Sequence, residues 1–301
     1  MQKKNILFFL VIVLAGLVAA RGLSRETAIP VMAEPDAYGY NILSLDLPLG
    51  TETVGSAMIA EMNDFFLSRA PTAKNAFTGA LSGKNLILIC ADDWTPDPES
   101  RVKNPALHRL AAGSAQIVSV WRPEWYQGLD GRLFALLSGL APTRVNDASS
   151  LAYTGEQNIY LPFSLPRAFS RAGYTSIAFM RDAAYAKAMT ALGFDEVRLE
   201  DASRADAIET LLAALNEDAP VFIFCVWDGS GEASLARLLD ALEGGEHRTD
   251  TALCLLTADE ALERAQLYLW GAGLSGASSD LPCSELDVAP TLLNAFGFAF
   301  I

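Results

Sequence analysis

The sequence predicts a doubly wound, three-layer α/β/α sandwich, and three observations carry the prediction. Residues 86–90 and 221–226 are apolar at every position, as strands are when helices cover both faces of a parallel sheet. Strand-like and helix-like segments alternate from residue 84 onward, which is the pattern of successive βαβ units. Glycines such as Gly139 and Gly173 stand where the helices of those units should stop. The chain of 301 residues, 51% hydrophobic and 19% charged, has the composition and length of a globular protein with a sizeable core.

The elements follow in order. Lys3 and Lys4 precede an apolar run over residues 6–20 that closes on Val18, Ala19 and Ala20. Such a segment reads as a signal peptide, or as a signal anchor if it is retained, because a spanning helix wants roughly 20 apolar residues. Its lysines stay inside and the remainder is exported, to the periplasm or the extracytoplasmic face of the cell membrane. No cysteine follows the run, so no lipid-modified terminus is expected. Residues 21–81 read as an arm or linker, with a helical stretch over 52–67 that places Val54, Met58, Met62 and Phe65 on one face. The α/β domain occupies 82–301. Its expected strands are 86–90, 116–121, 175–180, 221–226, 252–256 and 266–270. Its expected helices are 105–113, 132–138, 165–173, 205–216, 234–242 and 288–296.

Charge and motif content exclude several functions. The net charge of −14 opposes nucleic-acid binding, which needs clustered lysine and arginine, and opposes docking on anionic lipid. Membrane contact is therefore expected only through the N-terminal segment. The four cysteines, Cys90, Cys225, Cys254 and Cys283, show no C-x-x-C spacing and read as buried thiols. There is no G-x-S-x-G elbow, no Walker A loop and no G-x-G-x-x-G after the first strand. The two histidines, His108 and His247, have no partner at metal-ligand spacing.

What remains is acidic. Asp92 and Asp93 directly follow the first strand, at the carboxyl edge where open α/β sheets build ligand sites. Adjacent carboxylates repel unless a cation, a donor network or a proton relieves them, and hard divalent metals are a common answer. A solvated acidic turn is the plainer reading of the same pair. Asp228, after the strand at 221–226, either faces the same edge or serves as a turn residue before Gly229.

Several stretches, taken in order, resemble the sulfatase and alkaline-phosphatase superfamily, particularly the sulfatase-like branch that includes lipoteichoic acid synthases. Residues 84–93 resemble its opening strand and metal-binding acids. Asn104-Pro105-Ala106-Leu107-His108-Arg109-Leu110-Ala111 is similar to its "N-P-x-L-x-x-L-A" helix, and Leu136-Leu137-Ser138-Gly139-Leu140-Ala141-Pro142 to its "L-L-T-G-x-x-P" segment. Leu165 through Tyr174 resembles "L-x-x-x-L-x-x-x-G-Y", and Leu192-Gly193-Phe194-Asp195 the "x-G-F-D" turn. Residues 253–260 resemble the strand that ends in the family's Asp-His ligands, and residues 284–293 its closing "D-x-x-P-T-L-L" helix.

The resemblance implies an alkaline-phosphatase-like fold and one divalent metal, calcium, magnesium or manganese, held by Asp92, Asp93, Asp259 and Glu260. It also shows three departures. Leu129 stands at the position matched to the Cys, Ser or Thr nucleophile, and leucine neither attacks nor ligates. Thr257-Ala258-Asp259-Glu260 replaces the Asp-His pair. Between Val226 and Thr251 the substantial insertion of active relatives, with its further histidine, is missing. The expectation is a catalytically degenerate pseudoenzyme that serves as an envelope binding or scaffold module, with an envelope glycan, an anionic polymer or an envelope protein as partner. The alternative is a metal-dependent sulfate or phosphate ester hydrolase or phosphotransferase with a non-standard site, in which Asp130 or a metal-bound water attacks and Arg132 clamps the anion.

Overall fold

In the computed structural model, the residues described are 74–91, 104–121, 128–142, 148–204, 206–216, 219–227, 231–259, 264–271, 274 and 276–298. The N-terminal apolar run and the arm up to residue 73, including its helical stretch, lie outside them. The strands are β1 Asn85–Ala91, β2 Ser114–Trp121, β3 Thr175–Phe179, β4 Glu196–Arg198, β5 Val221–Trp227, β6 Thr251–Asp259, β7 Arg264–Trp270, β8 Ser278–Ser279 and β9 Cys283–Ser284. They form one sheet in the order β4-β3-β5-β1-β6-β7-β2-β8, with β9 also pairing β2. β7 runs antiparallel to both of its neighbours, β6 and β2. The other pairings are parallel.

Eight helices flank the sheet among the described residues: α1 Pro105–Gly113, α2 Gly128–Ser138, α3 Ser150–Glu156, α4 Leu165–Arg171, α5 Ala186–Leu192, α6 Ile208–Ala213, α7 Glu232–Gly244 and α8 Val288–Phe296. The strand alternation of β1 divides the interior in two. Leu86, Leu88 and Cys90 face a core closed by α2, α3, α4, α5 and α8. Ile87, Ile89 and Ala91 face a second core closed by α1, α6 and α7. Every residue of β1 is buried, as a strand covered on both faces must be. This is the three-layer sandwich that the sequence predicts.

The differences from expectation are local. α2 begins at Gly128, four residues before the expected start, so Leu129 and Asp130 belong to its first turn. The helices α3 and α5, of seven residues each, are additions to the expected set. Both are too short to form alone, and they are made by packing on each other. Gly155 is the point of approach: a Cβ placed there would lie 2.7 Å from the Ala188 backbone nitrogen.

The end of the expected arm belongs to the fold. Leu81 is fully buried, and its N–H donates to the Ala295 carbonyl of α8 at 2.8 Å. Asp195, from the Gly-Phe-Asp turn, accepts from the Ser176 N–H at 2.8 Å and from the Ser176 hydroxyl at 2.7 Å. It thereby ties the approach to β4 to the start of β3.

None of the four cysteines is in a disulfide; Cys90, Cys225 and Cys254 are buried and Cys283 is partly so. Burial pushes the Cys225 and Cys254 thiols far up. Burial, helped by the nearby Asp287 charge, pushes Cys283 up to about 11. Because the thiolate is the reactive species, raised values leave little of it at neutral pH. The native protein should therefore react slowly with a thiol reagent at pH 7–8, Cys283 first and the rest only on unfolding. Rapid reaction of two or more thiols in native protein would contradict this burial.

Candidate active site at the carboxyl edge of the sheet

Parallel pairing brings the carboxyl ends of β3, β5, β1 and β6 to one edge, and β2, lying antiparallel to β7, ends there too. Cys90 of β1 is in register with Leu256 of β6, so the end of β1 at Ala91 and the last part of β6 lie at the same edge. Asp259 itself is in register with Arg264 of β7. Asp92, Asp93, Glu260 and Asp228 lie outside the described residues, as does the side chain of Asp259. Among the described residues no group of three or more His, Cys, Asp or Glu could hold a metal ion.

The start of α2 is described in full. β2 ends at Trp121, and α2 starts at Gly128 with φ of +72°, a backbone conformation that glycine adopts without strain. Leu129 is half-buried and packs against the first core. Asp130 is half-buried, and each of its oxygens has a donor. The Ser149 hydroxyl donates to Oδ2 at 2.6 Å and the Tyr185 hydroxyl to Oδ1 at 2.9 Å. Ser149 also caps α3, its oxygen accepting from the Ala152 N–H at 3.1 Å. Tyr185 ends a one-turn 3-10 helix, Ala183–Tyr185, that follows the carboxyl end of β3. Three chain segments distant in sequence thus meet on one carboxylate.

Arg132 is neither a surface cation nor a group at the rim. It is 1% exposed and its Nε lies 3.0 Å from Oε1 of Glu285, which is fully buried. The earlier start of α2 explains the difference, since it moves Arg132 into the second helical turn. There it faces the 3-10 turn Glu285–Asp287 that leads into α8. That turn is held by a capping box between Ser284 and Asp287, the Ser284 N–H donating to the Asp287 carboxylate at 2.6 Å. The structure thus corrects Arg132 from an anion clamp to half of an internal ion pair.

The histidines lie away from this arrangement. His108 is half-buried on α1. His247 sits in a 3-10 turn before the amino end of β6, with Nδ1 3.7 Å from Asp250. Ser149 and Tyr185 are beyond the reach of the sequence reading. A serine directly before α3 is an N-cap signal, but only where the helix itself is recognised. Nothing local marks Tyr185.

No protein-family model matches the sequence, and no curated protein matches it. Solved structures do match. The lipoteichoic acid synthase LtaP from Listeria monocytogenes superposes with a TM-score of 0.61 at 12% identity, over 79% of this chain and 78% of that one. A protein of the alkaline phosphatase superfamily from Vibrio parahaemolyticus gives a TM-score of 0.57 at 13% identity, over 74% and 69% respectively. The 2-O GAG sulfatase BT1596 gives 0.53 at 13% identity, over 73% and 72%. The chain therefore has the fold of the sulfatase and alkaline-phosphatase superfamily, over most of its own length and most of theirs.

Proposed function

We propose that this protein is an exported, sulfatase-like binding or scaffold module of the cell envelope that has lost ester hydrolysis. One observation supports the reading above others: the first turns of α2 spend their side chains on internal contacts. Leu129 packs on the core, Asp130 is hydrogen-bonded to Ser149 and Tyr185, and Arg132 is ion-paired with Glu285. Nucleophilic catalysis of ester transfer needs an accessible nucleophile next to an anion-stabilising group, and these three residues supply neither. The apolar run over residues 6–20 supports export. The partner is an envelope glycan, an anionic polymer bridged by a cation, or an envelope protein.

A second reading draws on the shared edge of β1 and β6. Asp92, Asp93, Asp259 and Glu260 would hold one divalent metal there, and that metal would supply Lewis acidity and lower the pKa of a bound water.

The test is direct. Purified protein with calcium, magnesium or manganese added should turn over neither aryl sulfates nor aryl phosphates, and should show no burst. Turnover lost in Asp92→Ala would establish the second reading. Leu129→Ser should restore no activity, because groups that act as a unit do not recover singly. Its stability loss should fall below the about 2–5 kcal/mol of a fully buried leucine, since the side chain is half-buried. A loss in that full range would show that Leu129 is a core residue and does not border the site.

A further inference from the structure

We propose that the apolar face of residues 52–67, in the arm outside the described residues, docks as a helix on the outer strand β2, beside α1. Ile117 and Val120 of β2 turn toward the first core, and among the described residues no side chain of β2 belongs to the second. Of the helices on that second side, α1 comes closest to β2. It stands over β7, where a Cβ on its Gly113 would lie 3.1 Å from the Trp270 ring. It also meets the first part of β2, where Gln116 Nε2 donates to the Ala111 carbonyl at 2.6 Å. Further along the strand, Val118 is 40% and Trp121 44% exposed. Leu281, 67% exposed, lies alongside them, between the pairings Ile117–Ser279 and Val120–Cys283. Three of the five large apolar side chains exposed among the described residues therefore share this edge.

A layered fold of this kind buries the apolar face of a strand under a helix, and a clustered apolar surface marks a contact site. The arm has the complementary face. Val54, Met58, Met62 and Phe65 share one side at helical spacing, and an amphipathic helix takes most of its stability from packing that side. A helix over residues 52–67 is about 24 Å long, close to the roughly 27 Å of β2. The place where the arm joins the fold allows the delivery. Residues 75–81 hold the C-terminal end of α8 at the amino edge of the sheet. There Asn294 Nδ2 donates to Asn75 Oδ1 at 3.1 Å, and Leu81 lies 3.2 Å from where a Cβ on Gly271 would stand. Gly271 directly follows Trp270, which is in register with Ser114, the first residue of β2. The chain from Leu67 to Lys74 spans up to about 25 Å, more than two layer spacings of about 10 Å each. That is enough to pass round the amino edge to the α1 side.

The experiment uses the full chain with introduced cysteines, since the native thiols are slow to react. Met58→Cys or Met62→Cys, combined with Val118→Cys, should close an intramolecular disulfide under mild oxidation. The same arm cysteines combined with Leu199→Cys should not, because Leu199 follows β4 at the opposite edge of the sheet and is exposed there. The second measurement is the maleimide labelling rate of Val118→Cys alone. Adding Met58→Asp, Met62→Asp and Phe65→Asp should raise that rate by about tenfold or more, as expected when a locally protected position opens, while thermal unfolding stays cooperative.

Equal labelling of Val118→Cys with and without the three aspartates would overturn the proposal. Two fast rates would mean that the edge stands open, and two slow ones that another segment covers it. No cross-link from either arm cysteine to Val118→Cys would overturn it as well, as would an equal yield with Leu199→Cys. A cross-link formed only between molecules, rising with protein concentration, would assign the edge to a second copy of the chain and overturn it too.

Discussion

Replacing Arg132 with methionine should cost about 3–5 kcal/mol of stability, the range for breaking a buried ion pair from one side. Arg132 is 1% exposed and Glu285 is fully buried. Removing the guanidinium leaves a carboxylate that has already lost its hydration and now loses its counter-charge as well. Glu285→Leu alone should be costly for the converse reason. The double replacement Arg132→Met with Glu285→Leu should recover most of the loss, because two apolar groups of similar volume carry no desolvation penalty. Urea unfolding of the four proteins, at constant m value, gives the coupling energy directly. Additive losses would mean that the two side chains act independently. A single replacement costing under about 1 kcal/mol, the range of exposed pairs, would mean that water reaches the pair.

Gly155→Val should be the next most damaging change, because there the obstruction is backbone. A Cβ on residue 155 would lie 2.7 Å from the Ala188 nitrogen and 2.9 Å from its Cα, so α3 and α5 must move apart. Overpacking typically costs about 1–3 kcal/mol and occasionally more, and the added branches of valine put this site at the upper end. Gly155→Ala is the more informative variant, since alanine gains up to about 1 kcal/mol over glycine in a helix interior. A net loss there means that the clash outweighs the propensity. Gly244, at the end of α7, has open space within 4 Å of where a methyl group would stand, so Gly244→Ala is the control and should be neutral or stabilising. Equal effects at the two positions would show that the helices are not in close contact at Gly155.

How far each element can be read from sequence follows from how local its cause is. β1 and β5 announce themselves because burial on both faces removes polar residues from the strand altogether, as in Leu86 through Cys90. α8 is legible for a similar reason, with buried Val288, Ala289, Leu292, Leu293 and Phe296 at helical spacing. α3 carries no such signal. Its sequence, Ser-Leu-Ala-Tyr-Thr-Gly-Glu, contains a glycine that local propensity penalises and tertiary packing requires. The start of α2 is hidden because Gly128, Asp130 and Gly131 read as a turn, whereas the neighbouring layers hold them in a helix. Of the candidate site, the sequence offers only the acids after its strands and a leucine, Leu129, at the position matched to the nucleophile. Ser149, Tyr185 and Glu285 come from other parts of the chain, and no spacing rule links them to α2.

The strand order also dictates when the molecule can fold. β1, the central strand, finds its two partners in β5 and β6, Val221–Trp227 and Thr251–Asp259, and β2 must wait for β7, Arg264–Trp270. Nearly the whole chain has to emerge before the middle of the sheet can close. Large loops must then be closed before any pairing repays their entropy, and topologies of this kind are slow. Under the export proposed above, that delay would keep the chain extended enough to be translocated. It has a cost as well. Residues 86–90 and 221–226 are uniformly apolar, and such segments are prone to aggregate until they meet.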